Sequence, residues 1–204
     1  DQQAVLDLAA QLREDQIPCD IIGLEPGWQT NAYSCTYVWD KARFPDEKKL
    51  IRELGEQGFR LNLWEHAYVH PNSPIFEAIK PYSGDSYVWD GLVPDFTLPG
   101  ARELFVEAHR PTIEAGLSGF KLDERDNGDY LGNWGFPDFA CFPGGMDGEQ
   151  MHSLFGQLYQ QPMLGPTSPL TRAALGHTRP PPRWLRRIPH CLHAPPRTPA
   201  HAVP

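Results

Sequence analysis

The chain is 204 residues long, 40% apolar and 11% aromatic, which is enough to bury a core in one domain or in part of a larger one. A formal charge of −8 and a pI near 5.4 argue against nucleic acid and anionic membrane as partners, since both reward clustered Lys and Arg, and favour a neutral or small-molecule ligand. Cys19, Cys35, Cys141 and Cys191 lie far apart, with no CxxC pair and no His at ligand spacing, so neither a metal site nor a disulfide framework is expected, and no cofactor is implied. No run approaches the roughly 20 apolar residues of a membrane span. The N-terminus "DQQAVLDLAA" has neither a starting Met nor a basic leader, so the segment is expected to begin inside a longer reading frame, and the compartment is not legible from these residues beyond a slight lean to the cytoplasm.

Helical and strand patterns alternate from the start. "QAVLDLAAQLRED" places Val5, Leu6, Leu8, Ala9 and Leu12 at helical spacing, and "IPCDIIGL" follows as a β-branched strand ending at Glu25. "PDEKKLIRELGEQG" opens on Pro45 and Asp46 and closes on Gly55 or Gly58; the strand "FRLNLW" follows, ending beside Glu65 and His66. "LVPDF" ends near Asp95, "PGARELFVEAHRPTIEAG" supplies another helix, and "GFKLD" another strand. In "FPGGMDGEQMHSLFGQLYQQ", Asp147 with Gln150 three residues on is the capping-box pattern, Met146, Met151, Leu154 and Leu158 are packing positions, and His152 is expected to face solvent.

The composition then changes abruptly. From Pro162 to Pro204 there are 11 Pro, six Arg and four His, with no Lys, Asp or Glu, so this tail carries +6 and leaves −14 on residues 1–161. The tail has no helical or strand period and is expected to be disordered. An out-of-frame or unrelated translation is the preferred reading, and a basic Pro-rich recognition tail is the alternative. The expected domain is therefore residues 1–161, with 162–204 a separate Pro/Arg-rich tail.

Strands alternating with helices imply an α/β fold with a parallel sheet buried on both faces, whose chemistry gathers at the carboxyl ends of the strands. Glu25, Glu65, Asp95 and Asp123 all close strands, and the reading places them on one edge of one parallel sheet. "GLEPGWQT" after the first strand is neither GxGxxG nor a Walker loop, so a nucleotide-binding fold loses support. A partial (β/α)8 TIM barrel, about the first four βα units, fits better.

Four segments, "IPCDIIGLEPGWQT", "GFRLNLWEHAYVHPNSP", "LVPDFTLPGARELF" and "GFKLDERDN", together resemble glycoside hydrolase family 31, the retaining α-glycosidases with a (β/α)8 catalytic domain. The resemblance covers about residues 1–161. It implies hydrolysis of O-glycosyl bonds, a carbohydrate substrate, and Asp123 as the nucleophile, because a "GFKxD" run carries that residue in the family. It also implies that the general acid/base comes from a later strand, which is absent here, so the chain is expected to be an inactive fragment. Glu25 stands where the family commonly has an Asp that binds sugar hydroxyls. "EPGWQT" and "KLDE" look closer to members acting on α-galactosides or N-acetyl-α-galactosaminides than to α-glucosidases.

The residues add their own readings. Lys121 lies two positions before Asp123 and so shares its strand face, where its charge would keep Asp123 ionised. Glu25 either accepts hydrogen bonds from a sugar or caps the turn before Pro26. Trp64 either stacks on a pyranose face or is core; Trp28 and Trp134 carry the same two readings. His66 either bonds a hydroxyl or is structural. Asp95 and Lys121 complete the substrate-binding set. Glu124 is expected to pair with Arg125, and Asp126 and Asp129 to cap or turn the loop. Two rival functions remain: a non-catalytic carbohydrate-binding module, and a metal-dependent barrel hydrolase, for which His66 with His70 is a poor cluster.

Overall fold

A computed structural model of the chain describes residues 1–124 and 134–164. The Arg125, Asp126 and Asp129 expectations, Cys191 and the Pro/Arg-rich tail beyond 164 lie outside the described residues. Helix α1 (Gln2–Glu14) starts on Asp1, whose carboxylate accepts from the Ala4 N–H at 3.0 Å. It feeds strand β1 (Ile21–Leu24). Helix α2 (Glu47–Glu56) is capped in the same way by Asp46, 2.8 Å from the Lys49 N–H. Of the two glycines that might end it, Gly58 does so, at φ +81°, where L side chains are disfavoured. Strand β2 (Arg60–Glu65) follows.

A short helix α3 (Phe76–Ile79) and two strands, β3 (Ser83–Val88) and β4 (Gly91–Pro94), separate β2 from helix α4 (Pro99–Glu114). Strand β5 (Gly119–Leu122) and helix α5 (Gly148–Leu164) complete the described chain. The predicted capping box is present at the start of α5: Asp147 accepts from the Gln150 N–H at 2.9 Å, and Gln150 returns a bond to the Asp147 N–H at 3.4 Å. Helix α5 runs three residues past the expected boundary at 161, with Pro162 inside it.

The parallel sheet has the order β1-β2-β5, with Leu24 beside Leu63 and Trp64 beside Lys121. The segment read as its third strand is not in it. Gly91–Pro94 pairs antiparallel with Ser83–Val88, so Asp95 closes a hairpin rather than a barrel strand. A short, wholly buried apolar run reads alike in a parallel strand and in a hairpin packed on the core, and only the two-residue turn Trp89-Asp90 distinguishes them. Both turn residues have positive φ, +47° and +59°, a conformation that costs a non-glycine residue roughly 1–2 kcal/mol.

Helices cover one face of the sheet among the described residues, as in a partial barrel. Ile22, Leu24, Leu61 and Leu63 pack with Leu50 and Leu54 of α2 and Ala9 of α1. The opposite face carries Gly23, Asn62 and Lys121, which point toward a barrel axis. A second core joins α4, α5 and the hairpin through Phe96, Phe105, Phe155 and Tyr159. Met151 is buried there, as expected. His152 is not a solvent-facing residue: its ring stacks on Phe136 at 4.5 Å and its Nε2 lies 3.4 Å from Asp138. Phe105 touches Tyr37, Phe96 and Tyr159, so Phe105→Ala is expected to cost about 3–5 kcal/mol in urea unfolding. A loss below about 1 kcal/mol would show that this core is not close-packed.

Candidate active site

Three strand ends converge as the sequence suggested, but they do not all face the same way. Trp64, Glu65 and His66 alternate across β2 and its extension. Trp64 lies on the axis face beside Lys121. Its buried indole donates from Nε1 to Asp123 Oδ2 at 2.7 Å. Its carbonyl accepts from Trp28 Nε1, also at 2.7 Å, so Trp28 is a buried brace. With a ring only 2% exposed, Trp64 presents its N–H, not its face, to the site.

Lys121 bridges two carboxylates. Its Nζ is 3.2 Å and 3.3 Å from the two oxygens of Glu25 and 3.4 Å from Asp123 Oδ2. Asp123 also accepts the Glu124 N–H at 3.0 Å. Partial burial pushes the Asp123 carboxyl up, but the Trp64 bond, the Glu124 N–H and Lys121 outweigh it and hold it below the usual carboxylate range. The Lys121 ammonium is raised, chiefly by its bond to Glu25. Asp123 is therefore ionised, 41% exposed and fixed at the carboxyl end of its strand.

Glu65 faces the helices. It is fully buried, 2.7 Å from His109 Nε2 of α4 and 3.1 Å from the Tyr159 hydroxyl of α5. Burial pulls the His109 pKa down, but the charge of Glu65 and its hydrogen bond raise it above the ordinary value. Tyr37 and the Phe105 carbonyl complete its surroundings. Nothing local in the sequence marks this network, since His109 is one position within the helical run "PGARELFVEAHRPTIEAG" and Tyr159 lies 94 residues from Glu65. Asp95 is also structural: its oxygens take the Thr97 N–H and hydroxyl and the Gly144 N–H, at 3.0, 2.5 and 2.7 Å. Its buried carboxylate ties the hairpin to the 144 loop, away from the Glu25–Lys121–Asp123 cluster in its bonding.

His66 is buried among Trp64, Tyr33, Trp89 and Tyr68, with ring centroids 5.0–5.6 Å away. Its Nδ1 accepts from the Tyr68 N–H at 3.1 Å. Burial lowers its pKa to about 3, against smaller raising effects from backbone groups and Asp123, so it is neutral. Tyr33 and Trp89, which the sequence reading passed over, sit in this cluster, and Trp134 packs on Trp89 at 5.1 Å. The Tyr33 hydroxyl lies 3.4 Å from Glu124. Cys19, Cys35 and Cys141 are free thiols. Among the described residues no group of three His, Cys, Asp or Glu could hold a metal, and no helix is long and apolar enough to cross a membrane.

Parallel strands joined through helices, with carboxylates gathered at their carboxyl edge, place the chain among the βα-barrel proteins whose sites are built at that edge. Comparison with known proteins narrows this class. The chain belongs to glycosyl hydrolase family 31, whose TIM-barrel domain matches residues 1–180. It is 29% identical over 135 residues to alpha-xylosidase XylQ of Lactiplantibacillus pentosus, covering 60% of this chain and 18% of that protein. It is 30% identical over 138 residues to the myogenesis-regulating glycosidase of Mus musculus, covering 60% of this chain and 19% of that one. The chain thus spans about a fifth of the length of these relatives. Among solved structures it is similar in fold to a GH31 alpha-xylosidase from a soil metagenome complexed with xylose, with TM-score 0.64, 21% identity, and coverage of 82% of this chain and 26% of that one. It is also similar to the ER glucosidase II complex, with TM-score 0.67, 18% identity and coverage of 88% and 20%.

Two outcomes follow for the site. Trp64→Phe removes a donor to the charged form of Asp123, so the Asp123 pKa is expected to rise, read by carboxyl NMR titration. An unmoved pKa would show that the indole does not hold the carboxylate. Stability is expected to peak near pH 6–7. As pH falls below about 6.5, the unfolded chain binds a proton that buried His66 refuses until about pH 3. As pH rises above about 6.5, the stabilisation from protonated His109 is lost through its raised folded-state pKa. Denaturant midpoints against pH should lose the alkaline limb in His109→Gln, and an unchanged limb would place the loss elsewhere.

Proposed function

We propose that the protein of which this chain is a part is a retaining α-glycosidase, and that Asp123 is its nucleophile. One observation carries this reading: an ionised, half-exposed carboxylate at a strand's carboxyl end, oriented by the Trp64 N–H and held charged by Lys121. Such a carboxylate attacks the anomeric carbon, the glycosidic C–O bond breaks, and a glycosyl–Asp123 ester forms. A second carboxyl, about 5–5.5 Å away in retaining enzymes, protonates the leaving oxygen and later takes a proton from water. The resemblance assigns that group to a later strand, so this chain alone would lack it. Glu25 and Lys121 are the polar groups beside Asp123 and would hold hydroxyls of the attacked sugar. The names of the relatives include a xylosidase, and the Glu25 and "KLDE" pattern favours a galactoside; both sugars belong in the test.

Aryl α-xyloside, α-glucoside, α-galactoside and N-acetyl-α-galactosaminide would be assayed with the chain, with a protein extended by in-frame downstream sequence, and with Asp123→Ala of the latter. The extended protein is expected to turn over one of them and Asp123→Ala to lose that turnover. The chain alone should be about 10²–10⁴ slower on glycosides with poor leaving groups, the share that proton transfer supplies. Undiminished turnover by Asp123→Ala would overturn the nucleophile assignment.

A further inference from the structure

Glu65 is bonded through both its main chain and its side chain, and the two meet different halves of the fold. Its carbonyl accepts the Asp123 N–H at 2.9 Å across the β2–β5 pairing, next to the Trp64 indole that donates to the Asp123 carboxylate. Its carboxylate points the other way and is buried against α4 and α5, with His109 Nε2 2.7 Å from Oε2 and the Tyr159 hydroxyl 3.1 Å from Oε1. The main chain that seats Asp123 is therefore tied through one side chain to the outer helices. His109 holds the more demanding position. Its Nδ1 lies 2.6 Å from the Phe105 carbonyl, so both ring nitrogens face oxygen acceptors. A neutral imidazole carries one N–H and would turn a lone pair on one of those oxygens, whereas the imidazolium carries two and satisfies both. The heavy-atom geometry alone thus asks for the charged ring.

We propose that His109 is a positioning residue for Asp123: as an imidazolium held between Glu65 and the Phe105 carbonyl it fixes the end of β2 against which Asp123 is seated, and loss of its proton loosens that seat. The inference rests on the nucleophile reading of Asp123 and adds a residue that acts from the helix side of the sheet. Tyr37, from the loop after β1, packs on the His109 ring at 5.1 Å and donates its hydroxyl to the His66 carbonyl at 2.9 Å, the carbonyl that follows Glu65. Phe120 of β5 meets the ring edge-on at 5.1 Å, and Phe105 of α4 lies 4.6 Å away. Burial holds the Tyr37 and Tyr159 phenols well above their usual range and pushes the Cys35 thiol up, so all three stay neutral where histidines titrate. His66, next in the chain, is held neutral by burial, which lowers its pKa to about 3. Burial alone would also lower the His109 pKa, but the charge of Glu65 and its hydrogen bond raise it above the ordinary value. The clamp is accordingly complete below the ordinary histidine range and is lost as pH rises through the raised value.

The test follows the amide and indole signals of the isotope-labelled chain by NMR from about pH 5 to about pH 10, with the His109 ring carbon read in the same samples. Trp64→Phe assigns the Trp64 indole. In wild type the Asp123 amide and the Trp64 indole are expected to shift together, in one step that lies above the ordinary histidine value of about 6.5 and coincides with the titration of the His109 ring. His109→Gln keeps one donor for Glu65 but has no proton to lose, so the step should vanish from both signals. A histidine with a merely structural role would titrate without moving either signal, and that result overturns the proposal. So does a step that persists in His109→Gln, or a His109 ring that stays neutral over the whole range. Where His109→Gln fails to fold, the wild-type curves decide: a shared midpoint for ring, amide and indole supports the coupling, and separate midpoints overturn it. None of these signals depends on turnover, so failure here leaves the nucleophile assignment standing. Undiminished turnover by Asp123→Ala of the extended protein removes that assignment, and the positioning role with it.

Discussion

The bond from Trp64 Nε1 to Asp123 Oδ2 exists only because β2 and β5 are direct neighbours, and most of the described structure serves that adjacency. Pairing in register sets Trp64 beside Lys121, so Asp123, two residues further on, returns to the same face within reach of the indole. A slip of one residue would turn Asp123 toward the helices and bring Leu122 onto the axis face. The end of β2 is held from both sides. Trp28 fixes the Trp64 carbonyl from below, and Glu65, pointing the other way, is bound by α4 and α5.

That second anchor is a buried charged pair, and its energetics explain its effect. Withdrawing Glu65 and His109 from water costs several kcal/mol per ion, and attraction repays this only when the remaining polar atoms are also satisfied. Here they are: Tyr159 takes the second oxygen of Glu65, and the Phe105 carbonyl faces His109 Nδ1. Such a pair adds little net stability over an apolar substitute, but losing one partner would strand the other, typically at about 3–5 kcal/mol. It therefore specifies where α4 and α5 sit relative to β2 more than it strengthens the fold. The exposed Lys121 bridge is the opposite case. Solvent screens it, and its effect lies in the ionisation of Asp123 and the placing of Glu25.

What the sequence revealed follows the range of the interactions involved. Helix α1 was legible from apolar spacing alone, and α2 and α5 because Asp46 and Asp147 are local caps next to helical periodicity. Asp123 and Lys121 were legible because an acidic residue closing an apolar run, with a cation two before it, is also a local pattern. The hairpin was missed because "LVPDF" reads as a core strand until its partner Ser83–Val88 is seen, although the Asp90-Gly91 pair before it is a local hairpin signal that could have marked the turn. Asp95 went with it, since a strand-closing acid is equally at home in an Asx turn. Glu65 was placed at the right strand end with no face assigned to it, because the alternation Trp64-Glu65-His66 cannot say which side is the barrel axis. His109 and Tyr159, at 44 and 94 residues from Glu65, had no local signal at all.

The hairpin shows how an element outside the parallel sheet can be held by a core of its own. A βα unit needs only a short link from strand to helix, yet the link between β2 and α4 holds α3, β3 and β4 before the next helix begins. Loop closure makes such insertions cheap, since each doubling of loop length adds only about 0.6 kcal/mol. What the insertion must supply is its own burial, and it does so: Val88, Leu92, Val93 and Phe96 are in the core, and Asp95 fastens its end to Gly144. With the base of the hairpin secured, strain of roughly 1–2 kcal/mol per residue at its tip is supportable. Trp89 can therefore hold a conformation that local propensity opposes, while Asp90 is a residue type that such turns favour. The rigid sheet fixes Asp123, while the hairpin sets Trp89 against Tyr33 and His66 at the same edge.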